Sequence, residues 1–354
     1  MNDLKGNAHY IVARSRLCRI RVKSLSIAYR GRLAPSPTGF LHLGHAATFL
    51  AAAHRSNLHG GTLLLRNDDL DRDRVRPLFS VAALEDLRWL GIHWQEGPDT
   101  GGPKGPYSQS ERLIFYTRAM LALHKNRWVY PCACSRRDLA LAVSAPHASE
   151  EEPVYPGFCR PDDSASLSHR TPFTPTLNWR FRIPAPEILT FFDALQGLQS
   201  ATATVDFGDF LVWRKDGIPS YQLASAVDDA LMGVTEVVRG ADLITSTFRQ
   251  ILLWRALGYT PPDFYHCPLL TDAAGRRLAK REDALSLRTL REGGWTPNDV
   301  KKRLLEMKVP AEILGLQQLT PAPADQPDDA LEKMFATEHR IPNDAPLRSP
   351  RNGG

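Results

Sequence analysis

Residues 29–45 read YRGRLAPSPTGFLHLGH, and this stretch sets the fold class. A short strand beginning near Tyr29 runs into a loop with two prolines, and Gly44 then opens a helix with Ala46, Phe49, Leu50 and Ala53 on one face. Gly60-Gly61 suits a helix stop, and TLLLR at 62–66 reads as a buried strand. Helical patterns follow at 80–90 and 111–124, and the strand–helix–strand–helix order predicts an α/β fold built on a parallel sheet. HLGH also places two imidazoles and a side-chain-free position at the positive end of a helix dipole. Triphosphate oxygens would be stabilised there, and Gly44 would let an adenine or ribose approach the backbone closely. Taken alone, such a pair of histidines more often just caps the helix.

Composition narrows the class. At 354 residues the chain has room for two or three domains, or for one domain with a large insertion. Its 43% hydrophobic and 23% charged residues are those of an ordinary globular protein. No apolar run approaches the roughly 18 residues of a bilayer span, so no membrane role is expected. The net charge of +5 is local: residues 1–30 hold seven lysines and arginines against Asp3 alone. A basic pI therefore says nothing about the body of the chain. Residues 1–28 lack a continuous apolar stretch and read as a disordered extension rather than a secretion signal. Cysteines at 18, 132, 134, 159 and 267 are odd in number and unevenly spaced. They are unlike a disulfide framework and suit a reducing cytoplasm.

From about residue 126 the texture changes, and 144–177 are rich in proline, serine and acidic side chains. FLVWR at 210–214 looks like a strand, and 218–240 resume the sheet-and-helix texture. Cys132, Cys134 and Cys159 fall inside the irregular stretch, where a zinc ion would supply order that little core can provide. Spacing leaves the fourth ligand open among His147, Glu150, Glu151, Glu152 and Tyr155. Cys18 and Cys267 have no partner by spacing. Asp228-Asp229 could be taken for a Mg²⁺ pair, but a packed polar turn is the preferred reading; Mg²⁺ would arrive with ATP. Near the end, Thr296 caps a helix with Pro297 at its first position and Leu304 and Leu305 on its face. Residues 319–354 carry six prolines and read as disordered after a short helix near 329–338.

RLAPSPTGFLHLGH resembles the HIGH region of class I aminoacyl-tRNA synthetases, in particular the glutamate and glutamine group. The likeness runs from about 29 to 295 and takes in LLLRNDDLDRDR (63–74), YQLASAVDDALMGVTEVVRGADL (221–243) and GRRLAKR (275–281). It implies a Rossmann-type catalytic domain split into 29–125 and 217–270, with an inserted zinc-bearing acceptor-type subdomain at 126–216. A loop resembling KMSKS, with helices, would follow at 271–318, and a Pro-rich tail at 319–354. By the same resemblance His42 and His45 act on the phosphates as carboxylate attacks the α-phosphorus, with Lys280 reaching the leaving group. Gly44 and Arg277 complete the ATP contacts. Arg32, Leu33, Ala34, Pro35 and Ser36 with Asp68, Tyr221 and Arg239 form the glutamate site. There Arg32 and Arg239 face the side-chain carboxylate, Ser36 and Tyr221 hydrogen-bond the ligand, and Asp68 meets the ammonium. One structural zinc would be held by Cys132, Cys134, Tyr155 and Cys159.

Four positions depart from the family pattern. Asp68 stands where glutamate is usual, Ser225 where ordinary glutamate enzymes have asparagine, and Arg277 and Ala279 alter the KMSKS-like loop. A salt bridge of Asp68 with Arg66 or Arg72 is its structural alternative. After Lys280 only 74 residues follow, too few for the anticodon-gripping domain of ordinary glutamyl-tRNA synthetases. That brevity resembles the glutamyl-queuosine tRNA(Asp) synthetases. They activate glutamate without tRNA and transfer it to the cyclopentenediol of queuosine in the anticodon loop of tRNA(Asp). The chain would act as a cytoplasmic monomer. The competing readings are an abbreviated ligase for tRNA(Glu), an inactive amino-acid sensor or RNA-binding protein, and a nucleotidyltransferase sharing the HLGH helix.

Overall fold

The computed structural model describes residues 28–134, 154–161, 171–270 and 286–316. The first half begins with β1 (Arg30–Leu33), followed by α1 (Leu43–Leu58) and β2 (Thr62–Leu65). The two strands are parallel, with Arg30 opposite Thr62 and Leu33 opposite Leu65. Gly60 takes a left-handed φ of +57°, and a Cβ on Gly61 would lie 2.5 Å from the Tyr29 carbonyl oxygen, so the expected helix stop is also a close backbone approach. Two helices follow, α2 (Pro77–Trp89), opened by its proline, and α3 (Leu113–Lys125). Next come β3 (Val129–Cys132), β4 (Asn178–Phe181), β5 (Ile188–Asp193), β6 (Gly197–Thr202) and β7 (Phe210–Trp213).

The chain then alternates again: α4 (Tyr221–Leu231), β8 (Glu236–Gly240), α5 (Ile244–Leu257) and β9 (Asp263–Cys267). Two helices close the described region, α6 (Leu287–Glu292) and α7 (Pro297–Glu306). β8 and β9 are parallel, Arg239 facing His266, and β5 meets β9 in parallel at Asp193 and Phe264. β6 runs antiparallel on the edge, giving the order β6-β5-β9-β8. β1 lies beside β8, where the Thr235 N–H donates to the Arg30 carbonyl at 2.9 Å. β3, β4 and β7 form a separate antiparallel sheet. The stretch 126–216 therefore supplies both that small sheet and two strands of the sheet carrying β8 and β9.

Two apolar cores follow from these faces. Leu33, Leu63 and Leu65 pack with Ala46, Phe49 and Leu50 of α1 and with Leu287, Leu290, Val300 and Leu304. Tyr116, Met120 and Leu123 of α3 pack with Trp179, Trp213, Leu223, Val227 and Trp254. Each such large side chain contributes about 1.5–3 kcal/mol on burial. α7 starts as its sequence indicates: the Thr296 hydroxyl accepts the Asp299 N–H at 3.2 Å, and Asp299 accepts the Thr296 N–H at 2.8 Å. Leu305 departs from expectation. It points outward at 40% exposure, because the face toward the core is set by Val300 and Leu304. Asp228-Asp229 also departs, sitting within helix α4 rather than in a turn.

Residues 1–27 with Cys18, and the tail at 319–354 with the helix expected near 329–338, lie outside the described residues. So do His147, Glu150, Glu151, Glu152 and the GRRLAKR segment with Arg277 and Lys280. Among the described residues no helix is long and apolar enough to cross a membrane.

Candidate active site

His42 is the N-cap of α1, and its Nδ1 accepts the Gly44 N–H at 3.1 Å. Three residues on, His45 Nδ1 accepts the His42 N–H at 3.3 Å, closing a capping box made of two imidazoles. The rings lie 3.9 Å apart, centroid to centroid. Because each Nδ1 accepts a backbone proton, each Nε2 carries the ring proton and is a donor suited to phosphate oxygens. The capping and the ligand-binding readings of HLGH are thus compatible, since the caps fix the tautomers. A Cβ at Gly44 would come within 3.0 Å of the His42 ring, so here glycine spares the imidazole itself. The far side of this helix start is strapped to the chain beyond the GRRLAKR segment. His42 forms an antiparallel bridge with Ser286, and the Leu287 N–H donates to the Leu41 carbonyl at 2.7 Å.

Where β1 ends, the loop at 34–37 turns over the end of β2. The Arg66 N–H donates to the Leu33 carbonyl at 2.8 Å and the Asp68 N–H to the Pro35 carbonyl at 3.0 Å. This places Leu33, Ala34, Pro35 and Ser36 beside Asp68, with Ser36 exposed. Arg32 is buried and donates from one terminal nitrogen to the Val238 carbonyl at 2.7 Å. Its Nε lies 3.5 Å from an Asp229 oxygen without forming a hydrogen bond among the described residues. Burial lowers the affinity of this guanidinium for its proton, and the nearby Arg66 and Arg239 charges add to the effect. Arg239 reaches the same region from β8, and its guanidinium donates to the Tyr221 hydroxyl at 3.3 Å. Arg32, Arg239 and Tyr221 are therefore assembled as the sequence indicated, with Arg32 and Arg239 close enough to repel.

Around this pair runs a buried charge network that sequence reading largely missed. Arg66 donates from Nε to Asp68 at 2.7 Å and from a terminal nitrogen to Asp229 at 2.7 Å. Asp68 is thus held by Arg66, the ion pair foreseen as its alternative role; burial pushes its carboxyl above the usual range, against the pull of Arg66. For Asp229 burial acts the same way, but Arg66 and Arg32 prevail and hold it below that range. Asp228 accepts from Arg112 at 2.6 Å, Tyr116 at 2.7 Å and Gln109 at 2.9 Å. Asp228 and Asp229 are therefore buried arginine holders. Ser225, buried one turn beyond Tyr221, has a hydroxyl with no hydrogen-bond partner among the described residues.

Cys132, at the end of β3, meets Cys134 and Cys159 so that the three sulfur atoms lie within 4.8 Å of one another. Cys134 and Cys159 are 3.5 Å apart, near the roughly 3.8 Å between two thiolates on a tetrahedral zinc with bonds of about 2.3 Å. The Tyr155 hydroxyl lies 3.7 Å from Cys132 and 3.5 Å from Cys134, and accepts the Cys159 N–H at 2.8 Å. Arg180 donates to the Cys132 sulfur at 3.3 Å and stacks 3.8 Å over the Tyr155 ring. Three sulfur donors at this mutual spacing, with a phenol oxygen beside two of them, make a donor set that fits a tetrahedral zinc ion. Nothing in NWRF had marked Arg180 for its contacts here. Cys267 is buried at the end of β9 and forms no disulfide among the described residues.

Residues 28–313 match the family described as "tRNA synthetases class I (E and Q), catalytic domain". The chain is 49% identical to a Glutamyl-Q tRNA(Asp) synthetase of Symbiobacterium thermophilum, over 76% of this chain and 83% of that protein. It is 42% identical to the protein of the same name from Nitratidesulfovibrio vulgaris, over 86% of this chain and 98% of the other. Among solved structures, a glutamate-tRNA synthetase from Elizabethkingia anophelis superposes with a TM-score of 0.63 at 30% identity, over 76% of this chain and 54% of that one. The chain spans about half the length of that enzyme. With its parallel Rossmann-like sheet, its HLGH helix start and its match over residues 28–313, the chain belongs to the class I tRNA synthetases of the glutamate and glutamine group, ligases of the aminoacyl-tRNA synthetase type.

Proposed function

We propose that this chain joins glutamate to ATP as glutamyl-adenylate without tRNA, and then transfers the glutamyl group to the cyclopentenediol of queuosine at the wobble position of tRNA(Asp). The observation that carries the glutamate half is the convergence of Arg32 and Arg239, whose repulsion an anionic side chain would relieve. The names of the relatives in Symbiobacterium and Nitratidesulfovibrio support the acceptor.

In the first step the α-carboxylate attacks the α-phosphorus of Mg²⁺-bound ATP, and pyrophosphate leaves. His42 and His45 donate from Nε2 to the phosphate oxygens as negative charge builds. Arg277 and Lys280 are assigned to the leaving group on the family resemblance. Arg32 and Arg239 grip the side-chain carboxylate, Tyr221 and Ser36 orient the ligand, and Asp68 takes the ammonium with the oxygen capacity that Arg66 leaves over. In the second step a ring hydroxyl attacks the acyl carbon and AMP leaves. A zinc ion on Cys132, Cys134, Tyr155 and Cys159 would act structurally, within the inserted subdomain proposed at 126–216.

ATP-dependent transfer of labelled glutamate onto queuosine-containing tRNA(Asp), unmodified tRNA(Asp) and tRNA(Glu) tests this reading. It requires an alkali-labile product on the queuosine-containing tRNA alone. A second reading, ligation to tRNA(Glu), is favoured by the 42% identity to a glutamate–tRNA ligase of Acidithiobacillus ferrooxidans, and labelling of tRNA(Glu) would establish it instead. The metal assignment predicts one equivalent of zinc by elemental analysis. Cys159→Ser should lose it, with a fall of several degrees in melting temperature that added zinc does not reverse.

A further inference from the structure

Three strand ends meet at Arg239. Asp193 ends β5, His266 is the penultimate residue of β9, and Arg239 is the penultimate residue of β8 directly opposite it. Asp193 and His266 have no exposed side-chain surface. One Asp193 oxygen accepts the backbone N–H of Leu195 at 3.0 Å and of Gln196 at 2.8 Å, and the other accepts from His266 Nδ1 at 2.6 Å. Burial opposes ionisation of Asp193, but these hydrogen bonds hold its carboxyl below the usual range. On the other side of the imidazole, the Arg239 Nε–H lies 3.2 Å from His266 Nε2, and the Thr247 hydroxyl 3.0 Å from it. A guanidinium can only donate, so Nε2 must be the acceptor and the ring proton must sit on Nδ1, against Asp193.

The other partners of Arg239 are of the same kind. It donates to Thr247 at 2.7 Å, to Gln250 at 2.9 Å and to Tyr221, and each acceptor is neutral. The neighbouring arginines are treated differently: Arg66 is paired with Asp68 and Asp229, and Arg112 with Asp228. Among the described residues Arg239 makes no ion pair. Asp193 is one imidazole away, and Asp229, whose carboxyl feels the Arg239 charge, is paired with Arg66 and lies 3.5 Å from Arg32.

We propose that His266 is a positioning residue that orients Arg239 from below without cancelling its charge, and that this neutral support sets the preference for a side-chain carboxylate over an amide. The inference rests on Arg239 being the glutamate-binding residue. A carboxylate in place of the imidazole would orient the guanidinium equally well but would compete with the ligand for its charge. Asp193 serves at one remove, keeping the ring proton on the far nitrogen.

The test is pyrophosphate exchange by the full chain, with glutamate and glutamine as alternative substrates. His266→Asn keeps a donor toward Asp193 and loses the acceptor toward Arg239. KM for glutamate should rise about 10- to 100-fold, the loss expected for one hydrogen bond to a charged group, while KM for ATP stays within about twofold. His266→Gln, with an oxygen near the Nε2 position, should recover most of that loss. His266→Glu should reduce use of glutamate more than of glutamine, lowering the ratio of their kcat/KM values. Equal losses in both KM values and in melting temperature for all three variants would reduce His266 to a packing role and overturn the proposal. Unchanged kinetics in the three variants, with glutamate use lost in Arg239→Gln, would overturn it while leaving the glutamate site intact. Unchanged glutamate kinetics in Arg239→Gln as well would overturn the glutamate reading itself.

Discussion

Arg239→Gln is expected to lower kcat/KM for glutamate in pyrophosphate exchange by about 10³-fold, while the poor activity toward glutamine changes by less than about tenfold. The size follows from what is removed. A charged donor held by His266, Thr247, Gln250 and Tyr221 is already oriented, so its contact with a carboxylate needs little further ordering. Substitution also leaves the ligand carboxylate facing the Gln250 and Thr247 oxygens with Arg32 as the one remaining guanidinium assigned to it. Glutamine offers no charge to lose, so it reports only the change in shape. The measurement is initial-rate exchange with each amino acid. Parallel loss for both would mean that the guanidinium supports the pocket rather than reading the side chain.

Asp228→Ala should produce the largest loss of stability. Asp228 has no exposed side-chain surface and takes hydrogen bonds from Arg112, Tyr116 and Gln109, tying α3 and the turn before it to α4. Its removal strands the buried Arg112 guanidinium, a change that costs about 3–5 kcal/mol when one partner of a buried pair is deleted. For a domain of this size the melting temperature should fall by about 10 °C in a thermal scan. Asp228→Asn keeps the shape and an acceptor oxygen, and should lose about half as much. A drop of under about 2 °C for Asp228→Ala would show that Arg112 finds other compensation, for example at the Pro106 carbonyl 2.8 Å away.

The parts of the chain legible in the sequence were those where local chemistry decides. TLLLR could only be a buried strand, Gly60-Gly61 could only interrupt, and Thr296-Pro297 announced a capped helix. Arg32, Arg239 and Tyr221 were readable as a set because a motif carries them. What escaped was long-range: Asp193 and His266 are 73 positions apart, each in an ordinary-looking strand, FFD and FYHC. Only the parallel pairing of β5, β9 and β8, with Asp193 opposite Phe264 and His266 opposite Arg239, brings the three side chains together. Arg180 was hidden for the same reason, since 48 positions separate it from the cysteine it touches. Leu305 shows the converse limit, because two adjacent leucines on one helix cannot share a face and only packing selects between them.

The strap between His42 and Ser286 gives the start of α1 and the start of α6 a common energy. An anion seated on the imidazole pair and the position of Ser286 are linked variables. Whatever free energy the anion gains from one placement of that strap, the strap gains from the anion. Ser286 caps α6 through its hydroxyl, accepting the Thr289 N–H at 3.0 Å, so the register of that helix enters the same balance. If His42 and His45 hold the nucleotide phosphates as proposed, a substitution confined to the start of α6 would surface as altered nucleotide affinity at a side chain it never touches.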